Sequence, residues 1–223
     1  MPSVAAQTST RLVRFAEAKL PTPHGAFQLI VYRAADAPAN TPADRHEEHV
    51  AMVRGELRGA EAVLARVHSS CFTGEVLGSL RCDCREQLDR ALERIASDGR
   101  GVVVYLVQEG RGIGLGNKVR AYALQDEGVD TVDANLALGF AADPRSYDLA
   151  AQILADLGVA SVRLMTNNPD KILGLEQAGV AVASHEPHWV TANAHSAAYL
   201  QVKQSRMGHL ADEHDPVTSK SKR

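Results

Sequence analysis

The stretch EQLDRALERIASDGRGVVVYLV, residues Glu86–Val107, decides the fold. Leu88, Leu92 and Ile95 recur at helical spacing and Gly99 follows as a stop, the pattern of an amphipathic helix. Val102 to Val107 then runs apolar without a break, the mark of a strand buried on both faces. Downstream, helical patterns at about Lys118–Glu127, Thr131–Leu138 and Tyr147–Leu157 precede a strand at Val162–Met165, a helix at Lys171–Ala178 and a strand at Val180–Val182. That alternation is the manner of βαβ units and predicts parallel strands in the second half.

Upstream the chain is strand-like. Leu12–Leu20, a Pro/Gly turn over Pro21–Gly25, and Phe27–Tyr32 predict a hairpin, with further strands near His49–Arg54 and Val63–His68. Ala34–Arg45, with Pro38 and Pro42, reads as an exposed loop. The expected fold is therefore α/β: a mixed sheet flanked by helices, antiparallel in its N-terminal part and βαβ-like in its C-terminal part. Residues 1–11 and 212–223 are polar and aperiodic and read as disordered tails around a single domain over 12–211.

At 223 residues the chain can bury a substantial core. No segment approaches the roughly 20 apolar residues of a membrane span. With 24 Lys and Arg against 27 Asp and Glu, the balance predicts no nucleic-acid grip, so any phosphate must be held by locally placed groups.

All three cysteines, Cys71, Cys82 and Cys84, fall inside fourteen residues, CFTGEVLGSLRCDC. Burial as small hydrophobes is the competing reading, and it accounts poorly for such clustering. A disulfide is disfavoured between Cys82 and Cys84, one residue apart, and any pairing leaves a thiol over. The N-terminus, MPSVAAQT, lacks a secretory pattern. Reduced thiols in a cytoplasm are the consistent picture, where clustered Cys reads as metal or catalysis. Three sulfurs without a fourth is the ligand count of a zinc ion that keeps one position open for water.

Two further segments each follow a strand and open a helix. In QEGRGIGLGNK, Gln108–Lys118, glycines free backbone N–H groups to face an anion while Arg111 and Lys118 supply charge. A merely flexible junction is the competing reading, and no Walker ending is present. Thr166-Asn167-Asn168-Pro169-Asp170-Lys171 lies on the sheet edge where ligands collect. Asp143-Pro144-Arg145 reads by itself as a cap and surface ion pair, and Tyr122 as a packed helix residue.

Taken together, Arg66-Val67-His68-Ser69, SLRCDC at 79–84, Gln108–Leu115, AYALQDEGVDTV at 121–132, Leu138-Gly139-Phe140 and LMTNNP at 164–169 closely resemble the GTP cyclohydrolase II family. Tyr199-Leu200 and MGHL at 207–210 are similar to that family's ending. The resemblance implies a hydrolase that opens the imidazole ring of GTP, releases C8 as formate and removes pyrophosphate. The product is the diamino-ribosylamino-pyrimidinone 5′-phosphate, in the first committed step of riboflavin synthesis. It implies one Zn²⁺ per chain on Cys71, Cys82, Cys84 and water, Mg²⁺ with the triphosphate, a homodimer and a cytoplasmic enzyme. The length leaves no room for a dihydroxybutanone-phosphate synthase domain, so a stand-alone form is expected.

By the same resemblance Tyr122 assists ring opening, and Asp143 and Arg145 form an acid/base and nucleophile pair at the α-phosphate. Arginine stays protonated, which suits Arg145 better as a phosphate clamp. GTP binding falls to Arg66, Val67, His68, Ser69, Ser70, Gln87, Glu109, Gly110, Arg111, Thr131, Thr166 and Lys171, with Gln87 or Glu109 suited to the N–H edge of guanine. Ser70 departs from a Glu often found there, and Arg85 from a common Gly. The rival readings are a paralogue that releases the formylated intermediate and a non-catalytic nucleotide-binding module.

Overall fold

The computed structural model describes residues 10–38, 47–140, 145–191 and 196. Most of both expected tails, most of the Ala34–Arg45 loop, Asp143 and the family-like C-terminal motifs lie outside the described residues. The strands are β1 (Leu12–Thr22), β2 (Gly25–Ala34), β3 (His49–Arg54), β4 (Val63–Ser69), β5 (Gly101–Leu106), β6 (Val162–Met165) and β7 (Val182–Glu186). The helices are α1 (Phe72–Glu75), α2 (Cys84–Asp98), α3 (Gly114–Asp126), α4 (Thr131–Ala137), α5 (Asp148–Asp156) and α6 (Pro169–Gln177), with a 3-10 turn over Glu109–Gly112.

The strands form one seven-stranded sheet in the order β1-β2-β3-β5-β4-β6-β7. Pairings from β1 through β3 to β5 are antiparallel, and those of β5 with β4, β4 with β6 and β6 with β7 are parallel. This is the mixed sheet that the sequence pattern predicts.

Side chains of the central strands alternate between two cores. Val63, Ala65 and Val67 of β4 and Val102, Val104 and Leu106 of β5 pack with Ile153 and Leu154 of α5 and Leu175 of α6. Leu64 and Val103 face the other way, against Ala91, Leu92 and Ile95 of α2. The stripe on α2 and the two-sided burial of β5 thus explain each other. Each fully buried aliphatic side chain stabilises the fold by about 1.5–3 kcal/mol. Gly99 caps α2 at φ 79°, its N–H donating to the Ile95 carbonyl at 3.0 Å.

Several boundaries differ from the sequence expectation. β1 continues through Pro21 to Thr22, which an edge strand tolerates because it needs no ladder N–H on its outer side. α3 starts at Gly114, within the glycine-rich segment, rather than at Lys118. β7 begins at Val182, because Val180 N–H closes the end of α6 by donating to the Leu175 carbonyl at 3.0 Å.

The parallel pairing places Leu64 opposite Gly101, where a Cβ would meet the Leu64 carbonyl oxygen at 2.5 Å and Ile95 Cγ1 at 2.9 Å. Gly101→Ala is expected to destabilise the protein by about 1–3 kcal/mol through overpacking, read as a lower urea midpoint with an unchanged slope.

Candidate functional site

The chain leaves β4 and β5 at the same edge of the sheet, and one cavity opens there between α2, α3 and the start of α6. Arg66 and His68 reach it from the α2 face of β4, because they alternate along the strand with Ala65 and Val67, which enter the opposite core. Ser69, Ser70 and Cys71 follow directly, and Cys82, Cys84 and Gln87 come from the entry to α2.

The three sulfurs lie within 4.8 Å of one another, with Cys71 Sγ and Cys82 Sγ 3.6 Å apart. Tetrahedral zinc with Zn–S bonds of about 2.3 Å holds sulfurs about 3.8 Å apart, so the trio has the spacing of a metal site. Gly74 completes it. A Cβ there would sit 2.8 Å from Cys82 Sγ and 3.2 Å from Cys71 Sγ, so only glycine leaves the sulfurs room.

Polar groups around the sulfurs are tied to one another. Lys118 Nζ donates to Cys71 Sγ at 3.0 Å and to Glu109 Oε1 at 2.7 Å. Glu109 also accepts from Phe72 N–H at 2.6 Å. Hydrogen bonds from Cys82 and Cys84, with Lys118 adding its charge, hold the Cys71 thiol well below its ordinary range. Lys118, expected at an anion, is therefore turned to the sulfurs instead. Burial works against its charge, but the bonds to Glu109 and Cys71 outweigh it and raise its pKa.

Tyr122 Oη lies 3.5 Å from Thr73 Oγ1, which is itself 3.7 Å from Cys71 Sγ. Arg81 stacks over the Tyr122 ring at 5.0 Å and pairs with Asp126 at 2.5 Å. Burial raises the Tyr122 pKa, so the phenol is a proton donor at neutral pH. Arg81 is a site residue that sequence reasoning misses, as its only local signal is a place inside the cysteine segment.

Arg66 is buried, donates to the Met165 carbonyl at 2.8 Å and to Gln87 Oε1, and is lowered to about 10 by burial. Gln87 Nε2 in turn donates to Asp83 Oδ2 at 2.5 Å. Both polar ends of Gln87 are thus used inside the protein while its side chain lines the cavity, and Glu109 is likewise held by Phe72 and Lys118. His68 Nε2 donates to Glu75 Oε1 at 2.9 Å, and its ring stacks on Tyr105, whose hydroxyl donates to Glu75 Oε2 at 2.6 Å. Burial lowers the His68 pKa and leaves a neutral imidazole. Arg66 Nε, His68 Nδ1 and Ser69 Oγ are buried without a hydrogen-bond partner among the described residues. Ser70 Oγ accepts from Gln108 N–H at 3.2 Å.

Gly110 and Arg111 both adopt left-handed backbone, at φ 60° and 63°, which strains Arg111 while placing it on the cavity wall. Thr166, Asn167, Asn168 and Lys171 line the opposite side. Asn168 caps α6 through a 3.0 Å bond from Asp170 N–H, and Lys171 Nζ donates to the Val67 carbonyl at 2.7 Å. Val67 contributes that carbonyl, its side chain being in the core. Arg145 lines the cavity, Thr131 opens α4, and Asp143 is outside the described residues. Among the described residues, the wall carries Arg66, Arg81, Arg111, Lys118, Arg145 and Lys171 and no carboxylate.

His188 is a second residue whose place has no signal in the sequence. It is fully buried beyond β7, where its N–H donates to Asn167 Oδ1 at 2.7 Å, its carbonyl accepts from Asn167 Nδ2 at 2.9 Å and its Nε2 donates to the Gln87 carbonyl at 2.8 Å.

Comparison with known proteins adds the family. The family model described as GTP cyclohydrolase II matches residues 13–187. The riboflavin biosynthesis protein RibBA of Nocardia farcinica is 52% identical over 200 residues, 89% of this chain and 46% of that protein. RibBA of Mycobacterium tuberculosis is 52% identical over 213 residues, covering 92% and 48%, and that of Phocaeicola vulgatus is 49% identical over 193, covering 86% and 46%. The chain spans about half the length of these relatives. The solved two-domain 3,4-dihydroxy-2-butanone 4-phosphate synthase RibBX from A. baumannii covers 83% of this chain and 42% of its own, at TM-score 0.43 and 22% identity. The family match and the identities of about one half over nearly the whole chain lead to one assignment: the chain belongs to the GTP cyclohydrolase II family.

Proposed function

We propose that the chain is a zinc-dependent GTP cyclohydrolase II, which hydrolyses GTP to the diamino-ribosylamino-pyrimidinone 5′-phosphate, formate and diphosphate in riboflavin biosynthesis. One observation carries this reading: three clustered sulfurs and six cationic side chains share a cavity that has no carboxylate among its described lining residues. A sulfur trio suits zinc, and a cationic wall in a chain of net charge −3 suits a polyphosphate. The family match and the riboflavin role in the relatives' names support the same substrate.

Cys71, Cys82 and Cys84 would hold the zinc, which when bound supplies Lewis acidity for hydrolysis at the purine C8. The remaining roles belong to the protein's own groups. Tyr122, kept protonated by burial, gives its proton to the ring nitrogen released as the imidazole opens. Arg111, Arg145 and Lys171, with the capped N-terminus of α6, hold the phosphates, and Mg²⁺ accompanies the triphosphate. Arg145 acts as a clamp because its guanidinium stays charged. Asp143 remains its acid/base partner by resemblance. His68 and Ser69 offer their unpartnered buried atoms to the purine. The reading includes a homodimer and the cytoplasm, a compartment in which three clustered thiols stay reduced.

The deciding experiment is GTP turnover with product identification before and after chelation. Formate and diphosphate should form in equal amounts and cease when zinc is removed, and a product that keeps the formyl carbon overturns the reading in favour of a paralogue. Binding of GTP with no product supports the non-catalytic module instead.

Cys82→Ser should lose stoichiometric zinc by elemental analysis and all measurable turnover. Gly74→Ala, which presses on Cys82 Sγ, should lower zinc affinity about 10–100-fold in chelator competition while the far-UV spectrum stays unchanged. Tyr122→Phe should lower kcat about 10²–10⁴-fold with KM within a few-fold, measured under saturating zinc.

A further inference from the structure

A three-thiolate site carries a chemical difficulty. Three negative sulfurs over-neutralise a dication and blunt its Lewis acidity. Lys118 is placed to counter this. Its Nζ stands 3.0 Å from Cys71 Sγ and 2.7 Å from Glu109 Oε1, and its side chain is 12% exposed. Glu109 is itself fixed from two sides, by Gly110 N–H on Oε1 at 3.0 Å and by Phe72 N–H on Oε2 at 2.6 Å. Phe72 is the residue after Cys71, so one carboxylate ties the loop bearing the sulfur to the ammonium that faces it. The ammonium stands between sulfur and carboxylate and turns the positive end of the ion pair to the sulfur.

We propose that Lys118 is a positioning residue that acts through Cys71: its N–H···S bond draws electron density from that thiolate, so a metal ion on the trio stays a stronger Lewis acid. Glu109 holds the ammonium in line. The proposal rests on the zinc reading above and deepens it, since it names the group that corrects the weakness of an all-sulfur ligand set. A lysine held at an incoming phosphate has no need of a sulfur contact, and this one spends two of its three donors on Cys71 and Glu109.

The test uses the full chain with cobalt(II) in place of zinc and follows the sulfur-to-cobalt charge-transfer band. Lys118→Met should take up one cobalt per chain with that band moved to longer wavelength, because the thiolate donates more strongly. With zinc, its kcat for GTP should fall about 10–100-fold while KM changes little. Lys118→Arg, which keeps a charged donor, should return the band towards its wild-type position and recover most of the turnover. A Lys118→Met band at the wild-type position overturns the proposal whatever happens to turnover. Should Lys118→Met fail to fold, Glu109→Gln, which loosens the ammonium, must move the band in the same direction, and an unmoved band again overturns the proposal. A wild-type chain that takes up no cobalt overturns the metal reading itself, an outcome separate from an unshifted band.

Discussion

The close parallel approach of β4 to β5, with Leu64 against the bare backbone of Gly101, is the constraint on which the site depends. It sets His68 beside Tyr105 and Ser69 beside Leu106, so both strands deliver the chain to one edge. From β4 the chain crosses through α2 to β5 on one side and later returns as β6 on the other. Such a reversal leaves a crevice beyond the strand ends. The crossover supplies the cysteines, the exit of β5 supplies Arg111 and Tyr122, and the exit of β6 supplies Thr166 to Lys171. None of these segments is near the others in sequence, and strand order alone assembles them.

Electrostatics then give the crevice its character. Burying Arg66 is unfavourable unless its donors are met, and the Met165 carbonyl and Gln87 meet two of them while Asp83 lends charge at a distance. The guanidinium is held rigid before any ligand arrives, as is Lys171 on the Val67 carbonyl. Cations fixed by neutral oxygens keep most of their field, whereas those paired with carboxylates, such as Arg81 with Asp126, lose part of it. On the wall, Arg66 of β4 and Lys171 of α6 each donate to a backbone carbonyl, while Arg81 and Lys118, by Tyr122 and the sulfurs, pair with Asp126 and Glu109.

Much of this was legible in the chain itself, for identifiable reasons. The α2 stripe and the apolar run of β5 carry opposite periodicities over a short span, so their order alone implied a crossover. The cysteine spacing marked the sulfur cluster because three thiols with no fourth have few other uses in one short segment. What stayed hidden depends on distance in sequence. Lys118 carried the signal of an anion loop, and its turn towards Cys71 arises only when α3 packs beside α1, a contact across 47 residues. Glu109 and Gln87 looked free to meet a base, and only the fold shows that Phe72, Lys118, Arg66 and Asp83 already hold them. β7 was misplaced because its residues are mostly exposed and carry little hydrophobic pattern.

The clasp of Asn167 on both main-chain groups of His188 ties the segment after β7 to the cavity wall. The family-model match stops at residue 187, yet the next residue is wholly enclosed and its ring reaches the carbonyl of Gln87 at the head of α2. Arg90 and Arg94 grip the Trp189 and Pro187 carbonyls from the same helix. A chain cut at that boundary would strip a cavity-wall amide of both its bonds and unlatch the helix whose entry presents two of the three sulfurs. Hydrogen bonding therefore carries this scaffold beyond the residue at which the family's shared pattern stops.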